Sequence, residues 1–146
     1  MSETVNIEQM LSEKGVYVGT TVGVSMEPLL RTRRDVVVIE KPAGRLKKYD
    51  VPLYRRGESY VLHRIVKVLP DSYVILGDNC RSLEYGVTDD DIVGVLTAFY
   101  RKGKYCTVTA TRYRAYVFAL RALRPFRLAY WKLRGIAARF YHRIFT

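Results

Sequence analysis

The sequence predicts a mainly β domain, flanked by a short N-terminal helix and a basic, amphipathic helical tail. Apolar residues make up 49% of the 146-residue chain, which is ample for one hydrophobic core. Residues 16–108 contain runs of β-branched and aromatic side chains interrupted by Gly, Pro and Asp, a pattern typical of short strands. Residues 1–15 and 109–146 instead show helical spacing of their apolar side chains. These boundaries divide the chain into helix, β domain and tail.

The N-terminal segment lacks the features of a secretory signal. Residues 1–11 contain acidic residues, no basic residue and no apolar run of about 7–15 residues. The helix is predicted to end at Gly15, and its apolar residues are Val5, Ile7, Met10 and Leu11. No stretch approaches 18 uncharged apolar residues, so no membrane-spanning helix is expected. We expect a cytoplasmic protein, peripheral at the inner face of the membrane if its tail binds lipid.

A hairpin is predicted in the centre of the β domain. Residues 58–68 and 73–77 are dense in strand-forming side chains, and residues 69–72 (Leu-Pro-Asp-Ser) have the composition of a turn. Directly opposed residues have Cβ atoms about 4.5–5.5 Å apart, so an opposed carboxylate would lie close enough to an imidazole to be able to bond it. A one-residue bulge would shift this pairing. The predicted register places Val68 opposite Tyr73, Ile65 opposite Leu76 and His63 opposite Asp78.

A hydroxyl, an imidazole and a carboxylate occur in the order Ser25, His63, Asp78. Such groups can act as nucleophile, base and orienting acid if the fold brings them together. Their order matches none of the three familiar triads. Ser25 follows a β-like run and precedes Pro28, which disfavours helix before it. Taken alone, a Ser in a turn or a His in a strand is more often structural than catalytic.

The segments around these residues resemble the conserved boxes of the type I signal peptidase and LexA-like serine peptidase superfamily. The resemblance is closest to the endoplasmic-reticulum and spore-former branch, in which a His replaces the Lys base. Asp35 and Asp50 look like its two Gly-Asp-hydrophobic elements, each without the Gly, and residues 89–95 resemble its closing strand. The similarity covers roughly residues 16–100, and its boxes are Gly23-Val24-Ser25-Met26-Glu27-Pro28, Val61-Leu62-His63-Arg64-Ile65-Val66 and Gly77-Asp78-Asn79.

The resemblance implies a coiled β half-barrel and a serine endopeptidase that forms an acyl-enzyme, with activity on a peptide or protein in a maturation pathway. It implies Ser25 as nucleophile, His63 as base, Asp78 as supporting acid and Glu84 as the second acid of this branch. The Ser25 N–H would belong to the oxyanion hole. Gly23 stands where many relatives have a hydroxyl, which would cost roughly two to three orders of magnitude in rate if that donor is required. A His base predicts activity that rises through roughly pH 6–7.

Other functions stay open at this stage. One is a catalytically silent adaptor that binds an extended peptide, and another is self-processing of this chain alone. Cys80 and Cys106 show no metal-binding spacing, so we expect no metal and no cofactor, and we expect free thiols. Cys80 as nucleophile is a weaker alternative. No helix-turn-helix pattern precedes the β domain, which argues against a LexA-like repressor. The sequence does not indicate an oligomeric state.

The positive charge is concentrated in the tail. Residues 112–146 contain nine basic residues and no acidic one, and so carry +9 of the net charge of +11. Pro125 predicts a break into two helices, with Pro in the first turn of the second. Apolar residues fall in one arc and basic residues opposite it, as in interfacial helices. The arc holds Leu123, Phe126, Tyr130, Leu133, Phe140, Tyr141 and Ile144, and the basic side holds Arg121, Lys132, Arg139 and Arg143.

Three partners are compatible with this tail. An anionic membrane surface fits the aromatic face and the basic charge together. The protein's own domain or a partner protein would also cover an amphipathic face. Nucleic acid, the least favoured, is supported by charge alone.

Overall fold

The structure is a computed structural model that describes residues 6–145, with side chains up to residue 144. It is mainly β, as predicted, with one helix at each end. The helices are α1 (Ile7–Lys14) and α2 (Thr111–Phe145). The strands are β1 (Val16–Thr20), β2 (Val36–Glu40), β3 (Pro52–Arg56), β4 (Ser59–Leu62), β5 (Arg64–Val68), β6 (Tyr73–Leu76), β7 (Glu84–Val87), β8 (Ile92–Arg101) and β9 (Lys104–Thr107).

The strands form two antiparallel sheets, neither of which closes into a barrel. The larger sheet has the order β1-β2-β8-β3-β4, and β9 pairs with β8. The smaller sheet has the order β5-β6-β7. Consequently β1 and β4 are the two edges of the main path of the larger sheet.

Helix α1 ends at Gly15, as the sequence predicts, and begins after Asn6. The Asn6 side chain accepts a hydrogen bond from the backbone N–H of Gln9 at 3.2 Å and caps the first turn. Gly15 adopts the left-handed conformation, and its N–H donates to the carbonyl of Leu11. Leu11 is buried in the core. Val5, which also contributes to the predicted helical pattern, lies outside the described residues.

Two hydrophobic clusters fill the interior. The first joins α1, the larger sheet and the start of α2, with Leu11, Ile39 and Val117 among its buried members. The second lies between the two sheets and is built around Tyr54 and Ile65, both fully buried. Strand β3 places Leu53 in the first cluster and Tyr54 in the second, so the larger sheet is buried on both faces there. The connection from β4 to β5 leads from the first cluster, at Leu62, to the second, at Ile65.

The central hairpin forms, but its predicted register is wrong beyond the first pair. Val68 lies opposite Tyr73 as predicted. A bulge between Ile65 and Lys67 then adds one residue to β5. As a result Ile65 lies opposite Ile75 rather than Leu76, and Arg64 takes the position opposite Leu76. The register carries His63 toward Gly77, one residue short of Asp78.

The predicted break at Pro125 is also wrong, because α2 is one helix of 35 residues. A proline inside a helix removes one backbone hydrogen bond and crowds the preceding turn. Contacts with the β domain hold the helix on both sides of this point. Before it, the Arg121 guanidinium lies 4.8 Å from the ring centre of Tyr49, and after it Arg127 donates to the carbonyl of Asp78 at 2.9 Å.

The first half of α2 packs on the β domain, and the second half does not. Tyr113 and Val117 are buried in the core, and Trp131 is the last residue of the helix that is partly covered. Residues 132–144 are all exposed. At 1.5 Å per residue this exposed part extends for about 20 Å. Between residues 6 and 145, no helix is both long and apolar enough to cross a membrane.

We predict that deleting residues 132–146 changes the free energy of unfolding by less than about 0.5 kcal/mol, because exposed residues contribute little to stability. Urea denaturation of the full and shortened chains measures the difference. The matched control is Val117→Ala, which removes buried methyl groups and should destabilise by about 1 kcal/mol or more. A deletion that destabilises more than this control would contradict the structure of α2.

Candidate active site

The loop that carries Ser25 is held by buried side chains on its C-terminal side. Met26, Leu29 and Leu30 are all buried in the first hydrophobic cluster, whereas Ser25 itself is partly exposed. The backbone at Gly23 has φ +99°, which favours glycine, and its N–H donates to Thr32 Oγ1 at 3.1 Å. The loop is not helical, in agreement with the effect expected of Pro28. Its anchored side therefore holds the backbone at Ser25 in place.

A second loop, which follows β6, is hydrogen-bonded to the Ser25 loop. The backbone N–H of Asn79 donates to the carbonyl of Ser25 at 2.8 Å, and its side-chain amide donates to the carbonyl of Val24 at 3.1 Å. These hydrogen bonds join two motifs that are far apart in the sequence, the Ser25 segment and the Gly-Asp-Asn segment.

Gly77 is the point where the Ser25 loop and His63 meet. A Cβ atom on this residue would lie 2.8 Å from the Ser25 carbonyl oxygen and 3.0 Å from His63 Nε2. It would also lie 2.6 Å from Cys80 Sγ. Real Cβ atoms do not make such contacts, so only glycine lets these three groups approach one another. The structure therefore brings Ser25 and His63 to one place.

The other ring nitrogen of His63 faces Tyr54 and, behind it, Glu84. His63 Nδ1 lies 3.4 Å from the Tyr54 hydroxyl, and that hydroxyl donates to Glu84 Oε2 at 2.6 Å. Because the Tyr54 proton is directed to Glu84, the Tyr54 oxygen is left to accept from Nδ1–H. This tautomer leaves the lone pair on Nε2, the nitrogen that faces the Ser25 loop. Glu84 also forms an ion pair with Arg56.

Burial and charge both act on the protonation of His63. Burial lowers the pKa of His63, and the Arg56 guanidinium lowers it further. The Glu84 and Asp78 carboxylates raise it by a smaller amount, so the pKa of His63 lies below the ordinary value of 6.5. Burial alone would raise the pKa of Glu84, but hydrogen bonds from Arg56 and Tyr54 hold it below its usual range. At neutral pH the site thus contains a neutral imidazole and an ionised Glu84.

The Asp78 carboxylate makes no hydrogen bond to His63, in contrast to the predicted hairpin pair. Its carboxylate accepts two hydrogen bonds from Arg64, at 2.8 Å each, and one from the Tyr116 hydroxyl at 2.9 Å. Arg64 is 2% exposed and also donates to the Tyr49 carbonyl and the Tyr113 hydroxyl. The bulge in β5 is the reason: it gives Arg64, rather than His63, the position from which a side chain reaches Asp78.

Several residues that surround the site were not predicted from the sequence. Tyr54, Arg56 and Arg64 carry no motif that distinguishes them from structural residues of a strand. The tail residues Tyr116 and Arg127 are far from Asp78 in sequence. Because the tail is basic and aromatic, its composition predicted binding to external partners rather than to Asp78. Only the position of Arg64 directly after His63, on a strand facing Asp78, could have suggested the ion pair.

A cavity of about 350 Å³ opens at Ser25 and His63. One side is formed by Tyr60, Val61 and Leu62 of the edge strand β4. The other side is formed by residues just after β1, at the opposite edge of the same sheet, and Cys80, which has a free thiol, also lines the cavity. The volume is within the range of small-molecule and peptide pockets.

Comparison with known proteins does not identify this site. No protein-family model matches the sequence, and no curated protein is significantly similar to it. Within the described part of the chain, no three His, Cys, Asp or Glu side chains are grouped so as to hold a metal ion. The chemistry of the site is therefore inferred from the residues that line it.

We predict that Arg64→Met lowers the free energy of unfolding by about 3–5 kcal/mol, because it leaves the buried Asp78 carboxylate without its ion partner. Urea denaturation measures the loss. Arg55→Met is the matched control, since Arg55 pairs with Glu8 at the surface and such pairs contribute about 1 kcal/mol or less. Equal losses in the two variants would contradict the central role assigned to the buried pair.

Proposed function

We propose that this chain is a serine-type endopeptidase in which Ser25 is the nucleophile and His63 the base. The observation that carries the proposal is the meeting of the Ser25 loop and His63 Nε2 at Gly77, beside an open cavity. The resemblance to the His-base branch of the type I signal peptidase and LexA-like superfamily supports the same assignment. We also propose its coiled half-barrel as the specific fold, since residues at both edges of the larger sheet line one cavity.

In the proposed mechanism, neutral His63 takes the Ser25 hydroxyl proton on Nε2 as Ser25 Oγ attacks the scissile carbonyl carbon. The imidazolium keeps its Nδ1–H directed at the Tyr54 oxygen, and the ionised Glu84 stabilises its charge through Tyr54. Protonated His63 then gives its Nε2 proton to the leaving amine, and an acyl-enzyme ester remains on Ser25. Water hydrolyses this ester with His63 again acting as base.

The backbone N–H of Ser25 is the proposed oxyanion donor. In the described chain it donates to no backbone or side-chain acceptor, so it is available to a substrate oxygen. The neighbouring position Gly23 offers no hydroxyl, and a slow enzyme is the expected consequence. Turnover should therefore depend strongly on how well the substrate is positioned in the cavity.

Glu84, rather than Asp78, is the proposed supporting acid for His63. The Asp78 carboxylate already accepts three hydrogen bonds, all from Arg64 and Tyr116, and its task in this proposal is to hold the loop that carries Gly77 and Asn79. Glu84 reaches His63 through one intervening hydroxyl. Ser25 and His63 thus retain the roles predicted from the sequence, and Glu84 replaces Asp78 as the supporting acid.

The proposed substrate is an extended peptide segment. Strand β4 is an edge of the larger sheet, and its outer edge borders the cavity at Tyr60 to Leu62. An extended peptide can add to such an edge through backbone hydrogen bonds, with alternate side chains entering the cavity. This placement would bring a scissile bond toward Ser25, in keeping with a role in peptide maturation.

A peptide-binding adaptor without activity is the second candidate. One observation favours it: within residues 6–145 no hydrogen bond joins the Ser25 hydroxyl to His63. Catalytic hydrogen bonds are often long in the absence of substrate, so the same observation is compatible with an enzyme. The two functions differ in whether Ser25 is chemically activated.

Covalent labelling with a fluorophosphonate, followed by intact-mass measurement, tests the proposed function. The wild-type protein should gain one adduct, Ser25→Ala should gain none, and His63→Ala should react at least 100-fold more slowly, because the serine loses its base. Cys80→Ala is the control for the thiol in the same cavity and should label like the wild type. An adduct that survives in Ser25→Ala, or no adduct on folded wild-type protein, would contradict the proposal.

The labelling rate should rise with pH through the pKa of His63, with its midpoint below 6.5, because only the neutral imidazole acts as a base. Arg56→Gln removes a cation that disfavours the imidazolium, so its midpoint should move to higher pH. Glu84→Gln removes an anion that favours the imidazolium, so its midpoint should move to lower pH. Arg55→Gln, on the same strand but paired with Glu8, is the control and should leave the midpoint unchanged. Shifts in the same direction for Arg56→Gln and Glu84→Gln would exclude this electrostatic account.

A further inference from the structure

Helix α2 presents a long apolar face that its own domain does not cover. Between residues 115 and 144, a sector of about 140°, taken at 100° per residue, contains only Ala, Leu, Ile, Phe and Tyr. We call this set of residues the apolar sector. Its large side chains are 59–71% exposed at Phe118, Phe126, Tyr130, Leu133, Phe140 and Ile144. Soluble monomers rarely expose a continuous apolar patch of this extent.

The domain docks on a different face of the same helix. Tyr113 and Val117 enter the core, Arg127 donates to the Asp78 carbonyl, and Trp131 stacks with Arg81 and Arg127. At 100° per residue these docked positions are centred roughly 150° from the centre of the apolar sector. The apolar sector therefore remains open while the helix stays attached to the domain.

The charge of the tail indicates what covers the apolar sector. Residues 112–146 carry nine basic residues and no acidic one. Two copies packed through this face would bring eighteen like charges together with no acid in either tail to offset them. A nucleic acid would pair with the basic residues but leave the aromatic side chains in water. An anionic lipid surface can bind both the apolar side chains and the basic residues. The acyl chains contact the apolar side, and the headgroups contact the flanking cations.

We propose that α2 lies in the interfacial plane of an anionic membrane, with the apolar sector inserted and flanking cations such as Lys132, Arg134 and Arg143 at the headgroups. This inference does not depend on the proposed peptidase activity. It has a structural consequence for the site, since Arg127 bonds the Asp78 carbonyl and Asn79, and Asn79 holds the Ser25 loop. A membrane-bound α2 thus places the Ser25 cavity on a domain held close to the bilayer.

Vesicle co-sedimentation of the full chain tests this proposal. Phosphatidylcholine vesicles with about 30% phosphatidylglycerol should bind the wild-type protein at least tenfold more tightly than pure phosphatidylcholine vesicles, and added salt should weaken the binding. Phe126→Asn/Phe140→Asn should weaken it at least tenfold without loss of thermal stability, because both side chains are exposed. Tyr85→Asn, which removes an equally exposed aromatic of the β domain, is the matched control and should bind like the wild type.

Tryptophan quenching by brominated lipid tests which face is inserted. Trp131 is the only Trp and lies on the docked face, so its fluorescence should be quenched weakly in bound wild-type protein. In Trp131→Phe/Tyr130→Trp the Trp moves to the apolar sector, and quenching should become strong.

Three results would overturn the proposal. One is equal binding to neutral and anionic vesicles, or none to either. Another is equal quenching of the Trp at positions 130 and 131. The last is a dimer in sedimentation analysis that the Phe126→Asn/Phe140→Asn variant abolishes, since a second copy would then be the occupant.

Discussion

The buried ion pair between Arg64 and Asp78 connects the parts of the molecule on which the site depends. Arg64 begins β5 directly after His63, Asp78 follows Gly77, and the Tyr113 and Tyr116 hydroxyls reach the pair from α2. Two charges removed from water require good geometry and full hydrogen bonding, and both conditions are met here. Because each partner is adjacent in sequence to a residue of the site, the pair fixes His63 and Gly77 relative to each other and to the tail.

This arrangement separates the structural carboxylate from the one near the imidazole. Asp78 is occupied by Arg64 and Tyr116, whereas Glu84 is linked to His63 through Tyr54. The two carboxylates therefore have different environments, which is how proteins assign different tasks to chemically identical groups. Gly77 completes the geometry, because any side chain there would push the Ser25 carbonyl away from His63. The same loop also contacts α2, because Arg127 donates to the Asp78 carbonyl.

Local patterns in the sequence predicted those elements that local physics determines. Gly15 ends α1, and the turn before Tyr73 closes the central hairpin, because caps and turns depend on the residues that form them. The bulge in β5 was not predictable in this way. No local motif marks the extra residue between Ile65 and Lys67, yet it places Arg64 rather than His63 at the Asp78 carboxylate. A local rule also failed at Pro125, where the helix continues and Arg121 and Arg127 contact the β domain on either side.

The imidazole of His63 is the proposed base for Ser25. The chain has only two histidines, so NMR can follow both imidazole signals across pH, with His142→Gln assigning them. We expect His63 to titrate below pH 6.5, with a midpoint that coincides with the midpoint of fluorophosphonate labelling at Ser25. A His63 titration at or above pH 6.5, or one separated from the labelling curve, would contradict this assignment.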